Sequence, residues 1–369
     1  MTAATCSSSA KSPVRVVVVD DSVLMRTMLR AALEADGDIE VAGSAAEPHA
    51  ARSVIKTTDP DVITLDVEMP GMNGLEFLEK IMALRPTPVV MVSSLTSAGA
   101  ETTFAALERG AVDFASKPAS VANMGDFGAL LRRKVRAARG AQLRARGPQM
   151  FAGSPDARPS AARPGSARAS STSGKTALIA IGASTGGVAA IGSVVDSLPR
   201  GLPPVVAVVH MPEKYTGRFA QRLADQTGHD VAEAREGEPL RNGMIRIAPG
   251  SRHLEVVKSA SGFATRLHDG ENVSGHKPSV DVLFRSVAKA AGARALGAIL
   301  TGMGRDGAAG MLEMRQAGAI CLGEAASSCV VYGMPKAARE IGAVNEEHDL
   351  DRLPERVVEL VSGATTRIR

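Results

Sequence analysis

A chain of 369 residues, 44% of them hydrophobic, is long enough for two α/β domains and too long for one compact domain. Aromatic residues at 3%, with no tryptophan, leave little on which to stack bases, and a formal charge of +4, with much of the basic excess between Arg132 and Arg168, provides no broad polyanion-binding face. Cys6, Cys321 and Cys329 are odd in number and lack Cys-x-x-Cys spacing, so no disulfide framework is expected and a reduced, cytoplasmic compartment without structural zinc is favoured.

Residues 1–13 are rich in Ser, Thr and Ala, which predicts a disordered tail without a signal segment. No apolar run approaches the ~18 residues of a membrane span, so a soluble protein is expected. Val14 to Val19 then reads as a buried parallel strand ending in Asp20-Asp21-Ser22. Strands recur at 39–42, 62–65, 89–92 and 112–115, with helices near 23–35, 47–57, 73–84, 98–109 and 123–139. That alternation predicts a five-stranded, doubly wound parallel sheet over residues 14–138.

In such sheets ligands bind beyond the carboxyl ends of the strands. The sequence places Asp20 and Asp21 there after strand one, Asp66 after strand three, Ser93 after strand four and Lys117 after strand five. Carboxylates hold Mg²⁺ through oxygen, and a hydroxyl and an ammonium can read an added phosphoryl charge. Each acid taken singly could equally be a helix cap. The runs through Asp20-Asp21-Ser22, Asp66-Val67-Glu68-Met69-Pro70-Gly71 and Phe114-Ala115-Ser116-Lys117-Pro118 resemble a response-regulator receiver domain. The resemblance implies phosphorylation of Asp66 by a histidine kinase and Mg²⁺ on Asp20, Asp21, Asp66 and the Glu68 backbone carbonyl. It also implies a switch transmitted by Ser93, Phe114 and Lys117.

Residues 139–175 are a basic Pro/Ser/Ala/Arg-rich stretch with few large apolar side chains, which predicts a flexible linker. Gly174-Lys175-Thr176 imitates the end of a phosphate-binding loop but precedes a strand instead of following one. A second domain is expected over residues 176–365, doubly wound and mainly parallel. Its first strand runs into Ile181-Gly182-Ala183-Ser184-Thr185-Gly186-Gly187 and a helix over 188–198. This has the Gly-x-Ser-x-Gly spacing of a nucleophile elbow, where a sharp turn exposes the hydroxyl at a helix N-terminus. A phosphate-cradling glycine loop or a plain tight turn would share the pattern.

The next strand, Val205 to Val209, ends in His210, and a strand over Ala295 to Leu300 leads through Thr301-Gly302-Met303-Gly304-Arg305 to Asp306. Ser, His and Asp thus share one edge of a parallel sheet, in reach of triad chemistry. The bland alternatives are a structural imidazole at His210 and a helix cap at Asp306, before the helix over 308–316. Short strands at 244–248, 254–257 and 264–267 suggest an antiparallel insertion. The loop over 270–280, with His276, Lys277 and Ser279, reads as a cleft wall before a helix from Val282. A dinucleotide site would need an acid where His210 stands, and an α/β-hydrolase would need several strands before the elbow and the order Ser, acid, His.

The Ser184 run, Val208-Val209-His210-Met211-Pro212, His276-Lys277-Pro278-Ser279-Val280-Asp281 and Leu300-Thr301-Gly302-Met303-Gly304-Arg305-Asp306 together resemble the chemotaxis protein-glutamate methylesterase family, receiver plus esterase. Gly323 to Cys329 departs from that family's acidic, glutamine-containing segment. The resemblance implies an esterase, with glutaminase activity, acting on chemoreceptors, with Ser184 as nucleophile, His210 as base and Asp306 orienting it. Amides of Thr185 and Met303 are the expected oxyanion hole. It implies no cofactor for hydrolysis, no nucleic-acid partner, and membrane association only through receptors. The rival reading is a non-enzymatic response regulator whose output binds DNA or protein, for which residues 177–369 are too long and too strand-rich.

Overall fold

The computed structural model describes residues 12–69, 73–93, 97–118, 120, 123–143 and 176–363. The expected tail up to residue 11, the linker from residue 144, Gly174-Lys175 and Pro70-Gly71 lie outside them. Two compact units form, Met1–Leu143 and Arg144–Arg369.

The first unit runs β1 (Val14–Val19), α1 (Val23–Glu34), β2 (Ile39–Ala45), α2 (Pro48–Thr58), β3 (Val62–Asp66), α3 (Gly74–Leu84), β4 (Val89–Ser93), α4 (Ser97–Glu108), β5 (Asp113–Ser116) and α5 (Met124–Arg139). All strand pairs are parallel in the order β2-β1-β3-β4-β5. Val16 to Val19 and Val62, Ile63 and Leu65 are buried on both faces, which is why these strands read as continuous apolar runs instead of alternating ones. Each such side chain contributes roughly 1.5–3 kcal/mol by leaving water. The order reverses between β1 and β3, and a crevice opens where their carboxyl ends diverge.

The second unit begins β6 (Leu178–Ala183), α6 (Gly187–Ser197), β7 (Val205–Val209), α7 (Glu213–Thr227), β8 (Asp230–Glu233), β9 (Pro239–Leu240), β10 (Met244–Ile247), β11 (His253–Ser259) and β12 (Gly262–His268). It continues with α8 (Val280–Ala291), β13 (Ala295–Ile299), α9 (Ala308–Gln316), β14 (Ile320–Glu324), α10 (Met334–Glu340), β15 (Glu346–His348) and α11 (Leu353–Ser362). Seven parallel strands lie in the order β15-β14-β13-β6-β7-β10-β8, and β11, β12 and β9 form a separate antiparallel sheet. The expected antiparallel insertion therefore exists, but β10 is not part of it. Residues 244–247 pair in parallel with both β7 and β8, and the third antiparallel strand is the short β9. The chain leaves β6 toward β7 and later returns on its other side as β13, so this sheet also has its switch point at β6.

The helix that matters most for this edge is α8. Val280, Leu283, Phe284 and Val287 are fully buried on it, and it packs against α9, β11 and β6. Gly182 lets it approach, since a Cβ there would lie 2.2 Å from Val280 Cγ1.

Candidate active site

Ser184 is the first residue after β6. Its amide donates to Thr301 O at 3.0 Å and its carbonyl accepts from Gly187 N at 2.7 Å, closing a tight turn into α6. Gly186 takes the positive φ of 78° that the turn needs, and a Cβ there would also strike Val330 at 2.8 Å. Gly182 stays in the strand, so of the two glycines flanking Ser184 only Gly186 makes the turn, while Gly182 admits α8. Gly302 passes directly beneath the serine, where a Cβ would lie 2.8 Å from Ser184 Cβ and 2.3 Å from Met334 Sδ.

The pairing of Ala183 with Val209 sets the next residues, Ser184 and His210, side by side at the sheet edge. His210 Nε2 lies 2.8 Å from Asp306 Oδ2. A carboxylate can only accept, so Nε2 carries the proton and Nδ1 keeps its lone pair. Nδ1 is buried and has no hydrogen-bond partner among the described residues. Ser184 Oγ makes no hydrogen bond to the ring here, a looseness common in sites without substrate.

Asp306 does cap a helix, though not its own. Gly307 occupies the cap position of α9, and the Asp306 carboxylate instead accepts Val280 N at 2.8 Å, Asp281 N at 3.0 Å and Ser279 Oγ at 2.7 Å, at the N-terminus of α8. Burial pushes its proton affinity up, but the hydrogen bonds from His210, Ser279 and the buried amides at the start of α8 outweigh this and hold its pKa below the ordinary carboxylate value. It therefore stays ionised beside the imidazole.

The Met303 amide has no hydrogen-bond partner among the described residues, and Thr301, two residues earlier, is braced from several sides. Thr301 N donates to Glu324 Oε2 at 2.8 Å, and Thr301 Oγ1 donates to Thr185 O at 3.0 Å and accepts from Val331 N at 2.9 Å. Glu324, in the segment that departs from the family pattern, is wholly buried and also accepts from Ser328 Oγ. The altered segment thus supports the loop bearing Met303 from behind. Sequence reasoning named Ser279 only as a cleft wall and gave Glu324, His253 and Asp281 no supporting role, since most of their partners are distant in the chain.

The crevice of the first unit gathers the residues expected there. Asp20, Asp21 and Asp66 each offer an oxygen within 4.8 Å of the others. Lys117 Nζ bridges Asp20 at 2.8 Å and Asp66 at 2.7 Å. Burial raises the Asp66 pKa despite the lysine, and the two acids raise that of Lys117 against its own burial. Three clustered hard oxygens with one cation among them are a donor set that fits Mg²⁺. Glu68 N donates to Asp66 Oδ1 at 3.3 Å, Ser93 Oγ donates to Gly99 O at 3.3 Å, and the Phe114 ring is buried beneath Lys134.

Two sites of this kind, on two parallel sheets, define a response regulator with an α/β enzymatic output. Residues 16–126 match the response regulator receiver domain and residues 179–357 match the CheB methylesterase domain. The protein-glutamate methylesterase/protein-glutamine glutaminase 1 of Caulobacter vibrioides is 50% identical over 351 residues, covering 95% of this chain and 98% of the relative. A protein of the same description from Salmonella choleraesuis is 46% identical over 360 residues, covering 97% and 100%. The Thermotoga maritima CheB methylesterase catalytic domain is a solved structure at 32% identity and TM-score 0.49, covering 50% of this chain and 99% of that one. The chain belongs to the CheB methylesterase family. Among the described residues no helix is long and apolar enough to cross a membrane.

Proposed function

We propose that this protein is a phosphorylation-activated protein-glutamate methylesterase and protein-glutamine glutaminase acting on chemoreceptors, with Ser184, His210 and Asp306 as its catalytic residues. The observation that carries the assignment is the alignment of these three at neighbouring strand ends, with His210 Nε2 2.8 Å from an ionised Asp306 and its Nδ1 left unpartnered.

Ser184 Oγ attacks the side-chain carbonyl carbon of a glutamyl methyl ester while His210 Nδ1 takes its proton. Asp306 holds the ring in the tautomer that makes Nδ1 the base and stabilises the imidazolium. The tetrahedral oxyanion is received by the amides of Thr185 and Met303, a donor of this kind being worth about 3–4 kcal/mol. Methanol leaves with the proton from His210, and water then hydrolyses the acyl-serine to glutamate by the same steps. With a glutamine substrate, ammonia is the leaving group. All of this is done by the chain's own residues.

In the receiver, Asp20, Asp21, Asp66 and the Glu68 carbonyl would hold Mg²⁺, which supplies positive charge against the incoming phosphoryl group. Asp66 is the phosphoacceptor for a histidine kinase, and Lys117, Ser93 and Phe114 read the added charge and shift the receiver population. The test is methanol release from methylated chemoreceptor membranes, with and without Mg²⁺ and a small-molecule phosphodonor. Release that rises with phosphodonor is expected. No release from authentic receptor would return the protein to the binding-output reading.

A further inference from the structure

The ring of His276 lies flat on that of His210, with centroids 3.6 Å apart and planes within 5° of parallel. His210 is tied at one nitrogen only, and the terminal torsion of a histidine is broad. A ring held by a single hydrogen bond can pivot about it and carry Nδ1 away from the serine. Contact over one whole face blocks that pivot.

The loop that presents His276 is built to hold it still. Val273 and His276 exchange both backbone hydrogen bonds at 3.0 Å, and the two residues between them, Ser274 and Gly275, take φ of 54° and 79°, as the tightest hairpin turn requires. Ser274 Oγ donates to Asp281 Oδ2 at 2.9 Å, and Asp281 Oδ1 accepts Gly310 N at 2.7 Å, which fixes the turn to α8 and α9. His253, fully buried, ties both ends of the loop. Its Nδ1 accepts Ser279 N at 3.2 Å, and its Nε2 therefore donates to Glu271 O at 2.8 Å. Ser279 Oγ then donates to Asp306 at 2.7 Å. The path from Asp306 to His210, across the stack to His276, along the loop to Ser279 and back to Asp306 is closed.

We propose that His276 is a positioning residue for His210, and that the hairpin holds its ring as a fixed plate against which the imidazole keeps Nε2 on Asp306 and Nδ1 toward Ser184. The proposal rests on the reading of His210 as the base. What it uses is the flat ring and not the basicity of His276, so another aromatic ring should serve.

The full-length protein with phosphodonor and methylated chemoreceptor membranes gives the test, reading kcat and KM from methanol release. His276→Ala is expected to lower kcat roughly 30-fold with KM within about twofold, the scale of a small misplacement of a reacting group. His276→Phe is expected to stay within about threefold of wild type. Ser274→Ala, which loosens the turn without touching the ring, should give an intermediate kcat. Unchanged kcat in His276→Ala, a loss confined to KM, or His276→Phe as impaired as His276→Ala would each overturn the proposal, the last by showing that the imidazole itself transfers a proton. His210→Ala separates the two readings. If it is as active as wild type, the assignment of the base fails, whereas an inactive His210→Ala beside a fully active His276→Ala removes only the role of His276.

Discussion

Asp66 and Asp306 occupy comparable places in their two units: each lies in the crevice beyond the carboxyl ends of a parallel sheet, and they are only 2% and 1% exposed. Their proton affinities are nevertheless moved in opposite directions. Asp306 is surrounded by donors, two helix amides, a hydroxyl and an imidazole N–H. Asp66 has Lys117 and one long amide contact, shares that lysine with Asp20, and stands beside Asp21. Burial of a carboxylate is neutral information until its donors are counted. A saturated acid orients a neighbour, while an undersupplied one is prepared to take a cation or form a bond.

The contrast breaks first at the chemistry. Ser184→Ala and Asp306→Asn should each lower methanol release by about 10⁴-fold or more, the first by removing the nucleophile and the second by favouring the wrong imidazole tautomer. Near-normal turnover of either, in a steady-state assay, would leave Asp306 as a helix cap and nothing more. Asp66→Asn should abolish stimulation by a small-molecule phosphodonor. A stimulated Asp66→Asn protein would place the phosphoacceptor elsewhere.

Stability sharpens the comparison because the two replacements should have opposite signs. Asp306→Ala leaves the Val280 and Asp281 amides and the Ser279 hydroxyl without their acceptor inside the protein, a loss of about 1–3 kcal/mol in the esterase unit by denaturant titration. Asp66→Asn relieves like-charge crowding and should raise the melting temperature of the receiver unit by roughly 3 °C without Mg²⁺. A receiver destabilised by that change would mean that Lys117 depends on Asp66 more than Asp66 suffers from burial.

The pH dependence is the smallest effect. The folded-state pKa of Asp306 lies below its ordinary value of 3.8, so its contribution is complete above that value and is lost as pH falls through the folded one. Asp66 is raised above 3.8, so ionising it costs the receiver stability, and that cost sets in as pH rises from there through its folded-state pKa. Hydrogen exchange, corrected for its intrinsic pH dependence, should therefore show protection of β6 amides rising with pH below 3.8 and protection of β3 amides falling with pH above it.

The receiver's architecture was legible because Val16 to Val19, Ile63 and Leu65 are apolar on both faces, and its strand-end acids and lysine stand directly beside those runs. Ser184 and His210 were legible for the same reason, each directly following an apolar strand, whereas Asp306 stands beyond the loop from Thr301 to Arg305. What supports them was not. Strand β10 reads as a two-faced strand because Arg246 sits in its middle, yet Arg246 is 5% exposed and is neutralised by Asp230 and Glu238. Strands β8 and β15 carry two acids each in a few residues and offer almost no apolar signal. Asp306 looks like the cap of the helix it precedes, and only the packing of α8 shows that its acceptor atoms serve another helix. His253, Glu324 and Ser274 act through partners 4 to 26 residues away in the chain, a relation that no local pattern encodes.

The strand order of the second sheet also sets when the enzyme comes into being. Ser184 and His210 arrive early, after β6 and β7, but the strand on the other side of β6 and the Asp306 carboxylate beyond it are synthesised about 120 residues after Ser184. At the usual pace of translation that is an interval of roughly 6–24 s. Throughout it the emerging chain presents a serine turn with no Thr301 carbonyl to fix it, no Gly302 beneath it and no acid for its histidine. A chain stopped before β13 carries the Ser184 motif in full and lacks the loop that brings Asp306 to His210, so on the proposed reading hydrolysis begins only when the sheet has closed around its first strand.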